Sequence, residues 1–356
     1  MSLDRQASPR PSPRPRGRGR RPARLDADLS PESTSPRSGV IILNVIWLTV
    51  LTVLAIVAVG RIAWHGVDGE VLAWAVGSYV VTGFGITVGY HRYLTHEGFR
   101  CSPVLRAILL FAGGMAIEGS LESWRRTHLA HHAHTDVRDL DPHTPNQYDG
   151  FWMGLWHSHV GWMLVHSRLP EPFDQRDDVD RLVRWQRQYY AVPAVSSFLI
   201  PWAATGWQLD GLLVAGFLRV FLLFHFTASI NSVCHVWGTR GGRKPSAVRS
   251  ARRARNFALT ALPTMGEAWH WMHHVMPGCV AHGSGLRPDP TKWLIWTFEK
   301  AGLARDVKWY RTERARILGY QPDPVTSRAV CQPDRRDPVA LAGAVVMKGG
   351  PVGDHS

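Results

Sequence analysis

Histidines recur along this sequence at spacings that suit metal binding. Residues 270–274 carry histidine at their first, fourth and fifth positions, and residues 128–132 repeat the arrangement. On an α-helix these positions lie on one face, about a turn apart, so that three imidazoles can converge. Neutral imidazole is a ligand for iron, zinc and copper. The candidate ligands are His128, His131, His132, His270, His273 and His274.

A further pair, His91 and His96, follows an apolar run, and His235 closes another one. Five residues of α-helix turn about 500°, which places two side chains on different faces. His91 and His96 can therefore share a site only if the helix ends or bends between them.

The histidine boxes and several flanking motifs resemble those of the membrane fatty acid desaturases. The boxes are residues 91–96 (HRYLTH), 128–132 (HLAHH) and 270–274 (HWMHH). Residues 231–235 (NSVCH) and 141–143 (DPH) match further family motifs. Within the family the chain is most similar to the acyl-CoA Δ9 (stearoyl-CoA type) desaturases in their bacterial form. The resemblance covers about residues 40 to 310.

The resemblance implies a di-iron centre. Its ligands would be His91, His96, His128, His131, His132, His235, His270, His273 and His274. Nine histidines exceed the four ligands of one tetrahedral zinc and suit two ions, although residue types alone leave zinc open. Asn231 would position a water on one iron. Ligand-bound imidazoles need outer hydrogen-bond partners, and the candidates are Asp136, Asp141 and Glu267.

The implied reaction consumes O2 and introduces a cis double bond, at Δ9, into a saturated acyl chain. Trp124 matches a family tryptophan beside the acyl chain, and Arg126 matches a basic residue that contacts the carrier. Thr127 replaces an acid found in the animal members, so that coenzyme A, acyl carrier protein and lipid all stay open as carriers. The sequence has neither a haem-binding His-Pro-Gly-Gly segment nor a cysteine cluster, which implies a separate ferredoxin or flavin-type electron donor.

Two alternatives use the same histidines. One is a di-iron acyl or lipid hydroxylase, which differs from a desaturase in its product. The other is a non-catalytic membrane metal-binding or transport protein. Transport would require polar ligands at the bilayer midplane, within broken helices. The boxes lie outside the apolar runs, which disfavours transport.

Composition and hydropathy predict an all-α membrane protein with four transmembrane helices and a cytoplasmic helical cap that holds the metal site. The expected spans are residues 40–59, 71–90, 190–207 and 212–230. The net charge of +13 is concentrated beside the apolar runs. This favours the positive-inside pattern of a membrane protein over nucleic-acid binding. Both termini and every histidine box are expected on the cytoplasmic side of a bacterial inner membrane.

A polar segment lies at each end of the sequence. Residues 1–38 are rich in Arg, Pro and Ser and are expected to be a disordered tail beside the anionic membrane surface. Residues 39–320 are expected to form the membrane desaturase domain, and residues 321–356 a second disordered tail.

Overall fold

The computed structural model describes residues 38–165, 180–240, 253–283 and 285–309. Apart from Ser38, the two predicted tails lie outside the described residues, and so does most of the basic stretch 240–255. The described residues are mainly helical, as predicted. Their α-helices are α1 (Ser38–His65), α2 (Gly69–Phe84), α3 (Pro103–Gly114), α4 (Leu121–His134), α5 (Phe151–His159), α6 (Arg181–Gln188), α7 (Ala191–Ala204), α8 (Arg219–Val236), α9 (His270–Val275) and α10 (Pro290–Lys300).

Three helical segments among the described residues are long and apolar enough to cross a membrane: Gly39–His65, Gly69–Thr95 and Gly211–Val236. They coincide with the first, second and fourth predicted spans. Only 11% of an 18-residue apolar stretch of the first segment is buried, and Leu43 and Ile56 are exposed. Apolar side chains that face outward along a whole helix indicate a lipid environment rather than water.

The third predicted span is shorter than expected. Helix α7 has 14 residues. At 1.5 Å per residue it is about 21 Å long, against about 30 Å for a hydrocarbon core. The prediction of a membrane protein is supported by three candidate spans, and the prediction of four spans is not confirmed.

The helix that carries the first box changes its winding before it reaches the box. Residues Gly85–Thr95 form a π-helix, in which each N–H bonds to the carbonyl five residues back. The His96 amide continues this pattern to the His91 carbonyl at 3.1 Å. Five residues at roughly 4.4 residues per turn rotate about 410°, so that the two histidine side chains come within about 50° of each other. The wider winding, followed by the helix end, brings His91 and His96 together.

Glycines allow α3 to pack directly on this π-helix. A Cβ on Gly85 would lie 2.2 Å from the Gly113 nitrogen, and one on Gly89 would lie 2.9 Å from the Leu109 carbonyl oxygen. Only residues without a side chain permit such a close backbone approach. Gly85 and Gly89 thus anchor the segment that presents His91 against α3.

Two helix caps and a short strand pair stabilise the segments around the boxes. The Ser120 hydroxyl caps α4 by accepting from the Ser123 amide. Asp289 caps α10 by accepting from the Lys292 amide at 3.0 Å, with Pro290 in the first turn. Strands β1 (Arg100–Cys101) and β2 (Ala304–Arg305) pair antiparallel and join the loop after the first box to the chain after α10. A buried cluster that includes Phe99, Val280 and Ile295 packs beneath them.

Candidate metal centre and its cavity

The nine predicted histidines converge in the structure, although they come from four separate segments. In one group, called here the His91 group, the Nε2 atom of His91 lies 3.1 Å from that of His128 and 3.2 Å from that of His273. Two further contacts between Nε2 atoms complete the group, at 2.9 Å between His96 and His128 and at 2.7 Å between His132 and His273.

The second group, called here the His235 group, contains the other four histidines. The Nε2 atom of His270 lies 2.9 Å from that of His235 and 2.9 Å from that of His274. His131 joins them through His274, at 3.2 Å between Nε2 atoms. The two groups touch, because the rings of His132 and His274 stack with their centroids 4.5 Å apart.

Carboxylates determine the tautomers in both groups. The Nδ1 atom of His91 lies 2.7 Å from Glu267 Oε2, and that of His131 lies 2.8 Å from Asp141 Oδ2. The Nδ1 atom of His235 lies 3.2 Å from each carboxylate oxygen of Asp136. A carboxylate oxygen only accepts, so each Nδ1 carries the hydrogen and each Nε2 carries a lone pair. The predicted outer acids therefore contact ring atoms that face away from the convergence point.

The tautomers of His91, His131 and His235 leave their Nε2 lone pairs directed at neighbouring imidazoles. Burial and the repulsion of neighbouring imidazoles hold the pKa of His128, His132, His270, His273 and His274 well below the usual value, so these rings are neutral. At metal–nitrogen bonds of about 2.1 Å, ligand nitrogens at right angles lie about 3.0 Å apart. The observed Nε2 separations have this size. The donor set thus fits metal ions at the two convergence points.

Glu267 and Asp289 hold a buried arginine beside the His91 group. Arg92 is 1% exposed, and its guanidinium lies 3.0 Å from Glu267 Oε1 and 3.0 Å from Asp289 Oδ1. Burial by itself raises the pKa of Glu267, but the attraction of His91 and Arg92 outweighs it and lowers that pKa well below its usual range. Glu267 is therefore ionised, as an acceptor for the imidazole hydrogen of His91 must be.

A mostly apolar cavity of about 50 Å³ reaches both histidine groups. His91 and His128 line it on one side, and His131 and His270 on another. The remaining wall includes Ile86, Leu223, Ile230 and Met265. Asn231 also lines it, one turn before His235 on α8 and so on the same helix face.

A family model for the fatty acid desaturases matches residues 69–282 of this chain, which is more than half of its length. The chain belongs to the fatty acid desaturase family. The matched region contains all three histidine boxes, His235 and the three carboxylates. Family membership and the converging histidines together support the desaturase prediction over the transport alternative.

Three relatives of this desaturase are about equally similar to it. A hex-5-enoyl-(acyl-carrier protein) acetylenase of Moorena producens is 33% identical over 273 residues, which are 72% of this chain and 83% of the relative. Acyl-CoA desaturase 1 of Saccharomyces cerevisiae is 32% identical, over 74% of this chain and 51% of its own length. An sn-2 palmitoyl-lipid 9-desaturase of Nostoc is 31% identical, over 74% of this chain and 89% of its own length. The chain thus spans about half the length of the yeast enzyme.

The two predicted substrate residues of the desaturase occupy different places. Trp124 lines the cavity, and its ring stacks on that of His128 with centroids 4.9 Å apart. Glu118 hydrogen-bonds to Trp124 and to Thr227 of the same cavity, and burial raises the pKa of its carboxyl to about 7. Arg126 does not line this cavity. It is half-buried, and its Nε atom has no hydrogen-bond partner among the described residues.

Two buried histidines of the desaturase join the centre without having been predicted. His143 lies beside Asp141, with its ring centroid 4.4 Å from that of His131. His282 is fully buried, and its Nδ1 lies 3.1 Å from Glu267 Oε2. Neither residue has the box spacing, so that periodicity could not identify it. The match of residues 141–143 to a family motif was the available signal for His143, and the sequence has none for His282.

Proposed function

We propose that this chain is an O2-dependent membrane di-iron desaturase that introduces a cis double bond, at Δ9, into a saturated fatty acyl chain. The observation that carries the proposal is the meeting of nine imidazoles, with Nε2 atoms 2.7 to 3.2 Å apart, at the wall of an apolar cavity. Imidazole nitrogens gathered this closely are a donor set that bound metal cations would complete.

Each histidine group would hold one iron. The His91 group would supply five imidazoles to one ion, and the His235 group four imidazoles to the other, with Asn231 holding a water there. When bound, the two irons supply the oxidising chemistry by which dioxygen removes two hydrogens from adjacent CH2 groups and is reduced to water. The protein contributes the outer hydrogen bonds, because Asp136, Asp141 and Glu267 fix the ring orientations.

The cavity would orient the reacting part of the acyl chain. Ile86, Leu223, Ile230 and Met265 form an apolar wall that binds methylene groups and excludes water. Trp124 also lines the cavity and stacks on His128, so that its ring would limit how the chain can approach the metal centre. A fixed approach selects one pair of neighbouring CH2 groups.

We propose coenzyme A as the acyl carrier, held in part by Arg126. A guanidinium group suits phosphate, and the buried Nε atom of Arg126 lacks a partner among the described residues. The names of the three relatives refer to acyl carrier protein, coenzyme A and lipid. Similarity therefore does not discriminate among carriers, and the proposal depends on the arginine.

Electrons would come from a separate ferredoxin or flavin-type reductase on the cytoplasmic side of a bacterial inner membrane. The proposed topology has four spans, with both termini and the metal centre in the cytoplasm. Helix α7 would complete the fourth crossing together with its flanking residues.

Product analysis tests this function. The full chain is expressed in a bacterial host, and membrane fatty acids are analysed by gas chromatography with mass spectrometric location of double bonds. We expect a new cis-Δ9 fatty acid that is absent with His274→Ala at matched protein level. A hydroxylated fatty acid would establish the hydroxylase alternative instead. No new product from a protein that binds two irons and receives electrons from a chemical reductant would reject the enzyme proposal.

A further inference from the structure

His282 has no place in the predicted ligand set, yet it lies inside the metal centre. It is fully buried, and its ring centroid lies 4.6 Å from that of His273 and 5.4 Å from that of His91. Its main chain is also held, since its amide donates to Asp289 Oδ2 at 2.9 Å. A buried polar ring at such a position needs a partner that offsets its desolvation.

The nearest charged atom to His282 is the carboxylate oxygen that also faces His91. Glu267 Oε2 lies 2.7 Å from His91 Nδ1 and 3.1 Å from His282 Nδ1, while Oε1 faces Arg92. Because the carboxylate only accepts, His282 carries its hydrogen on Nδ1. Its Nε2 then bears a lone pair. Neither ring nitrogen has an aligned hydrogen-bond partner among the described residues, so the contact of Nδ1 with Glu267 is an electrostatic one at 3.1 Å.

This arrangement makes Glu267 a shared acceptor. Arg92 restrains one oxygen, and His91 and His282 approach the other from the first-box helix and from the segment after α9. With only two of these three donors, the carboxylate could rotate away from His91. The His91 ring would then lose the fixed orientation that directs its Nε2 at His128 and His273.

We infer that His282 is a positioning residue of the metal centre, which holds Glu267 in place through its Nδ1 hydrogen and so orients His91 for the ion of the His91 group. The inference rests on the proposed function, because it assumes metal at both groups. It predicts an effect confined to one of two ions, since the His235 group has its own carboxylates, Asp136 and Asp141.

Two polar substitutions distinguish the two ring nitrogens of His282. In His282→Asn the side-chain amide occupies the place of Nδ1 and can still donate to Glu267. In His282→Gln the amide extends to the place of Nε2 and leaves the Nδ1 position without a donor. Outer-shell changes of this kind reduce metal affinity about 10- to 100-fold.

The experiment compares iron binding by the purified full chain and its variants, by competition with a chelator and by Mössbauer spectroscopy. We expect His282→Gln to lose 10- to 100-fold in affinity for one of two irons, with one iron signal altered, and His282→Asn to stay within about threefold of wild type. His159→Gln, which changes a half-buried histidine that pairs with His225, is the control and should keep both irons.

Either of two results would overturn the inference. One is unchanged iron affinity and an unchanged spectrum in both His282 variants. The other is loss of iron in His282→Asn with retention in His282→Gln, since His282 would then act through Nε2. Failure of the proposed function itself would look different, because the wild-type chain would then bind fewer than two irons.

Discussion

Asp136 accepts the Nδ1 hydrogen of His235 and thereby directs the opposite nitrogen of that ring at His270, 2.9 Å away. The aspartate follows α4 in a left-handed backbone conformation, with φ of 62°, which aspartate tolerates better than most residues. The contact of Asp136 with His235 thus links the chain just after the second box to the ring orientation of a histidine in the last turn of α8.

Replacing this carboxylate should weaken one ion site. In Asp136→Asn the amide retains the shape but lacks the charge that raises the basicity of His235, so we expect about 10- to 100-fold weaker iron binding by the His235 group. Chelator competition on the purified protein measures the loss. Asp139→Asn, at an exposed acid three residues away, is the matched control. Equal iron affinity in both variants would contradict the role assigned to Asp136.

Trp124 should matter for turnover more than for metal binding. Its ring covers His128 and lines the cavity, but it supplies no ligand atom. We expect Trp124→Leu to retain two irons and to lose about 10- to 100-fold in kcat/KM, because the acyl chain would approach less uniformly. Trp152→Leu, at a largely exposed tryptophan of α5, should change neither quantity. Loss of iron in Trp124→Leu would assign the ring to the support of His128 instead.

Arg126 should affect binding of the carrier. We expect Arg126→Ala to raise the KM for acyl-CoA about tenfold and to leave kcat within about twofold, since the guanidinium lies outside the cavity that holds the reacting carbons. Arg100→Ala, at an exposed arginine of β1, is the control. A KM that stays the same for acyl-CoA in steady-state assays would remove Arg126 from the carrier site and reopen the choice among carriers.

Acid should destabilise the metal-free protein. Burial lowers the pKa of His143 to about 3, and it is the largest cause of the decrease at His282 and His159, to about 4. The unfolded chain protonates these groups near pH 6.5, whereas the folded chain keeps them neutral to lower pH. Below about pH 6.5 the unfolded state therefore binds more protons, and stability falls with pH down to about pH 4.

Thermal unfolding of the iron-free protein in detergent, between pH 8 and pH 5, measures this effect. The midpoint should be level above pH 7 and should decrease steadily below about pH 6.5. His159→Gln removes one such group that belongs to neither histidine group and should make the decrease shallower. A midpoint that rises on acidification would show that the buried rings are charged in the folded state.

The sequence predicted some elements well and others poorly, for physical reasons. Helical periodicity alone placed His128, His131 and His132 on one face, and also His270, His273 and His274, because their ring directions depend on local geometry. Apolar run length likewise predicted the segments Gly39–His65, Gly69–Thr95 and Gly211–Val236. It overestimated α7, which passes Pro201 and ends at Ala204, because Gly206 and Trp207 adopt positive φ values of 66° and 63° that a hydropathy pattern does not register.

By itself the sequence determined which residue types could bind metal and which faces they share, since both follow from composition and periodicity. Tertiary packing decided the rest. The π-winding that brings His91 beside His96 occurs where α3 packs directly against Gly85 and Gly89. The contact of His282 with Glu267 joins positions 15 residues apart without helical spacing. Such contacts arise only when separate segments fold against each other, so no local pattern encodes them.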